Sequence, residues 1–389
     1  MNYLFTLTLV GLLSVKLVLS EKTHSCPLFI NRDCHHNASR SVWMANHKYK
    51  KYCNIPTTGS PDTGTVALST PGIDSIYYGT IQVGTPGQTV RLNFDTGSAD
   101  FWFASSLCIS CNVGTERFDP FKSSTYVPTN LTWSIAYGDT SMASGIIGYD
   151  TVNISGLLIS NQGVELASNA FVIIGDYPAD GFLGLAFSSD ATIKGFQTPM
   201  DNLISQGLIS KPLFGVFLGK QSNGGGGEIV FGGYNPAHVN GHLKHAPVNN
   251  TRGLWEIEID GIHIGDNCLL YNSSYLSGVL DTGTTLVLFP QYVANEVARA
   301  YNATEKDDGS GTYIINCDVS SFSPLVFSIS GTEFKIPSED LVFEDADSVC
   351  TAGFGYFNAQ FTILGDVFLK NNYVIFDLEE PGVLIAPSK

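Results

Sequence analysis

Residues Leu92–Trp102 read LNFDTGSADFW, an apolar run that ends on a carboxylate, Asp95, with Thr96, Gly97 and Ser98 directly after it. The tripeptide Asp-Thr-Gly recurs at Asp281 in GVLDTGTTLVLF and at Asp62 in SPDTGTVAL. The Asp95 and Asp281 copies share a wider context. LNFDTGS is followed 89 residues after Asp95 by Gly184 in DGFLGLAF, and GVLDTGT is followed 84 residues after Asp281 by Gly365 in FTILGDVF. Each half thus has an apolar strand ending in Asp-Thr-Gly-Ser/Thr and a distant apolar pair ending in glycine, which is a long internal repeat. Asp62 follows Ser-Pro, has no strand before it, and reads as a turn residue near a processing boundary.

One Asp-Thr-Gly is a strand-ending turn. Two in matched contexts predict twofold-related loops that set Asp95 and Asp281 face to face. Two carboxylates at close range cannot both ionise, so they share a proton and titrate as a unit. The ionised partner can take a proton from a water between them while the protonated partner donates to a carbonyl oxygen. The neighbours suit that chemistry. Gly97 and Gly283 let main-chain N–H groups reach the inner carboxylate oxygens. Ser98 and Thr284 can donate to the outer ones, and Thr96 and Thr282 can tie the two loops together.

The 389-residue chain is too long for one small core and predicts two or three domains. A hydrophobic content of 43% with 14% charged residues is globular, and 40 Gly with 24 Phe and 17 Tyr favours many short strands joined by tight turns. A net charge of −16 argues against nucleic acid, whose phosphates want a basic face. It suits work in acid, where few basic groups repel one another.

The charge is uneven. Lys22, Arg32, Arg40, Lys48, Lys50 and Lys51 against Glu21 and Asp33 give residues 21–60 a net of +4, while residues 61–389 carry −21. A basic arm on an acidic body predicts mutual attraction near neutral pH that weakens as carboxylates protonate; the plain alternative is a solvated tail. Residues 1–20 read as a signal peptide, with an apolar core from Leu4 to Val15 too short to span a bilayer and Ser20 at the cleavage point. No basic residue precedes that core, and Lys16 interrupts its end. No later segment is long enough to cross a membrane, and the C-terminus lacks the tail of a lipid anchor. Glycosylation sequons begin at Asn37, Asn130, Asn153, Asn249, Asn272 and Asn302, which fits export.

In an exported protein cysteines pair. Cys108-x-x-Cys111 has no second CxxC and reads as a small-loop disulfide, Cys317 and Cys350 make the natural second pair, and no zinc spacing is present. Cys268 in the body and Cys26, Cys34 and Cys53 in the arm are left, so a disulfide between arm and body is arithmetically open. Beyond Pro61 the chain reads as strand and turn: one hairpin turns at Gly-Thr-Pro-Gly, residues 84–87, a second at Gly138-Asp139, and NGGGGEIVFGG is a hairpin turn without the Lys-Ser/Thr of a phosphate loop. Helical pattern is confined chiefly to TPMDNLISQGLI and PQYVANEVARAYNA.

On FDTGSADFW, WSIAYGDTSMASG, DGFLGLAF, TPMDNLISQGLI, GGGGEIVFGGYN, LDTGTT and ILGDVFLKNNYVIFD, the chain resembles the pepsin-like aspartic proteases over residues 61–389, most closely the secreted fungal type. The resemblance implies an all-β, bilobal fold of two related β-barrel-like lobes, residues 61–245 and 246–389, with the cleft between them. It implies that Asp95 and Asp281 are catalytic and that Tyr137, Gly138 and Asp139 form a flap over bound peptide, with Trp102 hydrogen-bonding the flap tyrosine. Asp139 with Ser141 implies that Lys is tolerated before the scissile bond beside a preference for large apolar residues; the alternative is that Asp139 is an ordinary turn residue. The arm, residues 21–60, becomes an inhibitory prosegment whose ANHKYKKY resembles the family's Lys-Tyr element, with Lys48 or a neighbour pairing with the aspartates.

The implied protein is a secreted monomeric acid endopeptidase made as a zymogen, acting on polypeptides, inhibited by its own prosegment and by pepstatin-type compounds, with neither metal nor cofactor. The competing class is a catalytically silent pepsin-like protein that holds peptides in its cleft; such relatives break an Asp-Thr-Gly or the flap tyrosine, and this chain breaks neither. Vacuolar delivery is the alternative to secretion.

Overall fold

The computed structural model describes His24–Ile30 as backbone and residues 76–389, apart from 115, 137–140, 172–177, 224, 266, 272–275 and 345–348. The described chain is mostly strand, arranged in three sheets with a few short helices. The bilobal all-β expectation holds.

The largest sheet runs Lys244–Pro247, Gly382–Pro387, Asn372–Asp377, Leu213–Leu218, Gly227–Phe231, His24–Ile30 and Tyr77–Val83, then on through Gln88–Asp95 into the first half. It therefore joins the C-terminal strands to the N-terminal half. The arm supplies its own strand: Cys26 opposes Ile229, and Phe29 opposes Tyr78.

Within each half the same three-strand unit recurs. In the first, Gln88–Asp95 lies parallel to Gly181–Gly184 with Asp95 opposite Gly184, and Phe101–Ala104 returns antiparallel on the other side. In the second, Ser277–Leu280 lies parallel to Thr362–Leu364 with Leu280 opposite Leu364, and Val287–Pro290 returns antiparallel. One further step of that register sets Asp281 beside Gly365. Both glycines are required. A Cβ at Gly184 would stand 2.6 Å from Cα of Ala99, and one at Gly365 would stand 2.2 Å from the Thr284 carbonyl oxygen. That contact is why the sequence repeat ends on glycine in both halves.

The remaining local readings follow ordinary rules. The hairpin Tyr77–Val83/Gln88–Asp95 turns where Gly84 takes φ 83°, and the polyglycine stretch links Leu213–Leu218 to Gly227–Phe231 with Gly225 and Gly226 at positive φ. The helix Pro199–Ser205 starts on a capping box between Thr198 and Asp201, and Gln291–Ala300 follows Pro290. One apolar core crosses both halves, from Leu92 and Phe94 to Trp255, Leu280 and Phe376. Trp255 is fully buried, packs on Phe187 at 4.3 Å, and donates its indole N–H to the Leu185 carbonyl at 2.9 Å. Burying about 200 Å² of indole at ~25 cal/mol/Å² stabilises this crossing by up to ~5 kcal/mol before entropy is counted. No helix among the described residues is long and apolar enough to cross a membrane.

Candidate active site

The two Asp-Thr-Gly loops meet at the centre of this frame, and each carboxylate is buried, Asp95 at 1% exposure and Asp281 at 0%. They accept the same set of bonds. Oδ1 of Asp95 accepts from the Gly97 N–H at 2.9 Å, and its Oδ2 accepts from the Ser98 hydroxyl at 2.5 Å. Oδ1 of Asp281 accepts from the Gly283 N–H at 2.9 Å, and its Oδ2 from the Thr284 hydroxyl at 2.7 Å.

The threonines cross the junction. The Thr96 N–H donates to Oγ1 of Thr282 and the Thr282 N–H to Oγ1 of Thr96, both at 3.0 Å. Each hydroxyl passes its own hydrogen to the opposite strand, Thr96 to the Leu280 carbonyl at 2.8 Å and Thr282 to the Phe94 carbonyl at 2.5 Å. All four donors and their acceptors are buried, so each broken bond would leave a group costing ~1–3 kcal/mol. The loops touch as closely as glycine permits, for a Cβ on Gly283 would lie 2.3 Å from Oδ1 of Asp95.

Behind the first loop, Gly184 donates its N–H to the Asp100 carbonyl at 2.9 Å, and Leu185 donates to the Asp95 carbonyl at 2.8 Å. The strand carrying Gly184 is anchored by Asp180, whose carboxylate accepts from the Arg91 main chain and pairs with its guanidinium at 3.0 Å. That hydrogen bond holds the Arg91 guanidinium above its ordinary value, against the cost of partial burial.

Trp102 is fully buried, with Trp133 at 6.0 Å and Phe182 at 5.5 Å between ring centres. Strands Val127–Ala136 and Met142–Ile154 form an antiparallel hairpin in which Ala136 opposes Met142, and Ser141 is buried at its inner end. Tyr137, Gly138 and Asp139 lie outside the described residues, as do Asp62, Lys48, Cys34, Cys53, Asn37 and Asn272. Asn130, Asn249 and Asn302 are exposed; Asn153 is half-buried and accepts from the Gly156 N–H. Disulfides join Cys108 to Cys111 and Cys317 to Cys350, while Cys268 is an exposed free thiol. Cys268 lies in the four-stranded sheet and Cys26 in the large one. No group of three or more His, Cys, Asp or Glu able to hold a metal occurs among the described residues.

The sequence reading did not find the two carbonyls, of Phe94 and Leu280, that take the threonine hydrogens, although both sit one residue before an identified aspartate. It also passed over Asp100, whose Asp95-x₄-Asp spacing carries no signal in the second half, where Leu286 stands.

A family model described as eukaryotic aspartyl protease matches residues 76–388. The chain is 49% identical to rhizopuspepsin-4 of Rhizopus niveus over 96% of its own length and 95% of that protein. It is 47% identical to syncephapepsin of Syncephalastrum racemosum, covering 91% and 89% of the two chains, and 35% identical to mouse gastricsin, covering 89% of each. With its paired Asp-Thr-Gly loops in one buried junction, the chain belongs to the eukaryotic aspartyl protease family, the pepsin-like aspartic endopeptidases.

Proposed function

We propose that the protein is a secreted acid endopeptidase, made as a zymogen, that hydrolyses peptide bonds through Asp95 and Asp281 by a water-mediated general acid–base mechanism. The observation that carries the reading is the equivalence of the two carboxylates: each is buried, each accepts one glycine N–H and one hydroxyl, and a reciprocal threonine bridge ties their loops. Such a junction holds two acids at fixed separation, so one proton is shared between them. The ionised member removes a proton from water as it attacks the peptide carbonyl, and the protonated member donates to the carbonyl oxygen. Collapse of the tetrahedral species then returns a proton to the leaving nitrogen, and no bond to the enzyme forms.

We assign residues 1–20 to a signal peptide, 21–60 to the prosegment, 61–245 to the N-terminal lobe and 246–389 to the C-terminal lobe. The strand His24–Ile30, seated between Gly227–Phe231 and Tyr77–Val83, supports a prosegment built into the fold rather than a free tail. Its basic charge against the acidic body supports release in acid. Large apolar residues, with Lys tolerated through Asp139 and Ser141, precede the scissile bond. The sequons and the secreted character of the resembled type favour export over vacuolar delivery, as a monomer.

The test is digestion of a denatured protein by the purified precursor, shifted from pH ~7 to pH ~3.5, with parallel samples carrying pepstatin or Asp281→Asn. Expected are acid-triggered trimming of the arm and pepstatin-sensitive proteolysis, both absent in the variant. A folded, trimmed protein that cleaves nothing at any pH would make peptide binding in a silent cleft the better reading.

A further inference from the structure

Behind the catalytic loop lies an acid that the proposed reaction does not use. Glu165 sits in the strand Leu157–Phe171, directly opposite Trp102, and is 3% exposed. Its Oε2 is buried and has no hydrogen-bond partner among the described residues. Asp100, 4% exposed, closes the same loop that begins at Asp95. Both residues line one small space, walled by Ala99, Phe101, Gly163, Phe196 and Gln197. It has room for about one water-sized body.

The two acids are not equivalent. Asp100 accepts from both donors of Thr192, the N–H at 2.9 Å on Oδ1 and the hydroxyl at 3.0 Å on Oδ2. Those bonds favour its ionised form. Oε2 of Glu165 has no such donor among the described residues. Burial first, and the Asp100 charge second, push its carboxyl well above the usual carboxylate range. Among the described residues, Asp100 and Glu165 are the only ionisable side chains lining the space. Tyr149, from the neighbouring strand, stacks on Phe196 at the rim. On the covering segment Lys194 is turned to the Ser189 carbonyl at the surface, Asp190 packs against Gly253, and Asp201 caps the Thr198 N–H, so among the described residues no cation offsets a second negative charge there. A divalent cation is a poor occupant, since it needs six or more oxygens and both Asp100 oxygens already accept from Thr192.

We propose that the Asp100–Glu165 pair is a proton-operated lock on the catalytic loop: protonated Glu165 keeps the loop seated in acid, and its ionisation at higher pH drives the loop from its bed. The mechanical link is short. The Asp100 carbonyl accepts from Gly184, and Gly184 is the register partner of Asp95. Repulsion in so small a space relaxes by moving Asp100 with this loop, the strand carrying Glu165, or the covering segment that Asp100 holds through Thr192.

The sign is opposite to that of an ordinary ion pair. Because the folded value lies above the unfolded one, the native state retains the proton longer, and stability falls as pH rises from the unfolded value of about 4.5 through the folded one. The experiment uses the full chain carrying Asp281→Asn, which prevents self-digestion, and reads urea unfolding from about pH 4 to about pH 7 with Glu165→Gln or Asp100→Asn added. Either substitution leaves one acid alone in the space. Expected is that Glu165→Gln gains on its parent by roughly tenfold in folding equilibrium constant for every pH unit by which the Glu165 proton is held, and that Asp100→Asn, which removes the charge but not the burial, gains a smaller part of that in the same direction. The infrared carboxylic-acid band that the folded parent retains above pH 4.5, the ordinary glutamate value, should lose intensity with Glu165→Gln. Parent-minus-variant stability differences that do not change with pH, in both variants, would overturn the lock. Should Glu165→Gln not fold, Asp100→Asn decides. The readout is conformational, so it stands or falls separately from whether the protein cleaves peptides.

Discussion

A methyl group on the α-carbon of Gly283 would stand 2.3 Å from Oδ1 and 2.6 Å from Cγ of Asp95, in the other half of the chain. The close approach that sequence assigns to a permissive glycine is thus a contact between one aspartate loop and the other aspartate. Overpacking a rigid junction costs ~1–3 kcal/mol, and displacing a reacting group by about 1 Å costs about a hundredfold in rate. Gly283→Ala is therefore expected to fold, with a urea midpoint lowered by no more than that overpacking cost, while losing roughly a hundredfold in kcat on a peptide in acid. Parental kcat in this variant would show that the contact does not position Asp95.

The threonine bridge makes a different prediction. Thr96→Ala removes the acceptor of the Thr282 N–H and the donor to the Leu280 carbonyl, leaving two buried groups unpaired. Each costs ~1–3 kcal/mol, so a loss of about 2–6 kcal/mol is expected. Thr96→Ser keeps the hydroxyl and is expected to lose under ~1.5 kcal/mol, the cost of one buried methyl group. Urea unfolding in the Asp281→Asn background measures both. Equal losses for Ala and Ser would mean that the methyl group, not the hydroxyl, carries the stability.

The parts of this site that were legible in sequence are those that the twofold writes twice. Asp95 with Gly184 and Asp281 with Gly365 recur because a parallel strand pair permits no side chain where Ala99 or Thr284 passes. What stayed hidden is written once and closed by distant partners. Glu165 lies in a strand buried on both faces from Gln162 to Ala167, where alternation gives no reason to place a carboxylate inside. The arm was legible as basic, but not as a strand: Pro27 stands in the middle of a sheet, opposite Glu228, where a missing N–H argues against strand from sequence alone.

The two disulfides should differ in worth. Cys317–Cys350 closes 33 residues and Cys108–Cys111 only 3. Loop-closure entropy assigns about 3.7 kcal/mol to the first and about 1.6 kcal/mol to the second. Replacing each pair with serines is expected to lower unfolding free energy in that order. The reverse order would place the stabilisation in local packing rather than in the unfolded chain.

Asp340 binds two lysines at once, Nζ of Lys220 at 2.7 Å on Oδ2 and Nζ of Lys370 at 3.0 Å on Oδ1. Lys220 follows the strand Leu213–Leu218, whereas Lys370 caps the short helix Asp366–Leu369, so this carboxylate ties the joining sheet to the second half. Burial alone would raise the Asp340 carboxyl, but the two ammonium groups outweigh it and hold the carboxyl below its ordinary 3.8. A lowered folded value means stability that is present above 3.8 and lost as pH falls through the folded value. Asp340→Asn is therefore expected to cost ~3–5 kcal/mol near pH 5, as removing one partner of a buried pair does. The gap to the parent should narrow as pH falls below 3.8 and the parent protonates as well. Urea midpoints across that range measure it, and a gap of constant size would mean that Asp340 acts through packing rather than charge. The two acid systems then pull in opposite directions, Asp340 losing its contribution at the acid end and Glu165 withdrawing its own as pH rises. Their combined effect is a stability maximum on the acid side of neutrality, where the proposed dyad chemistry operates.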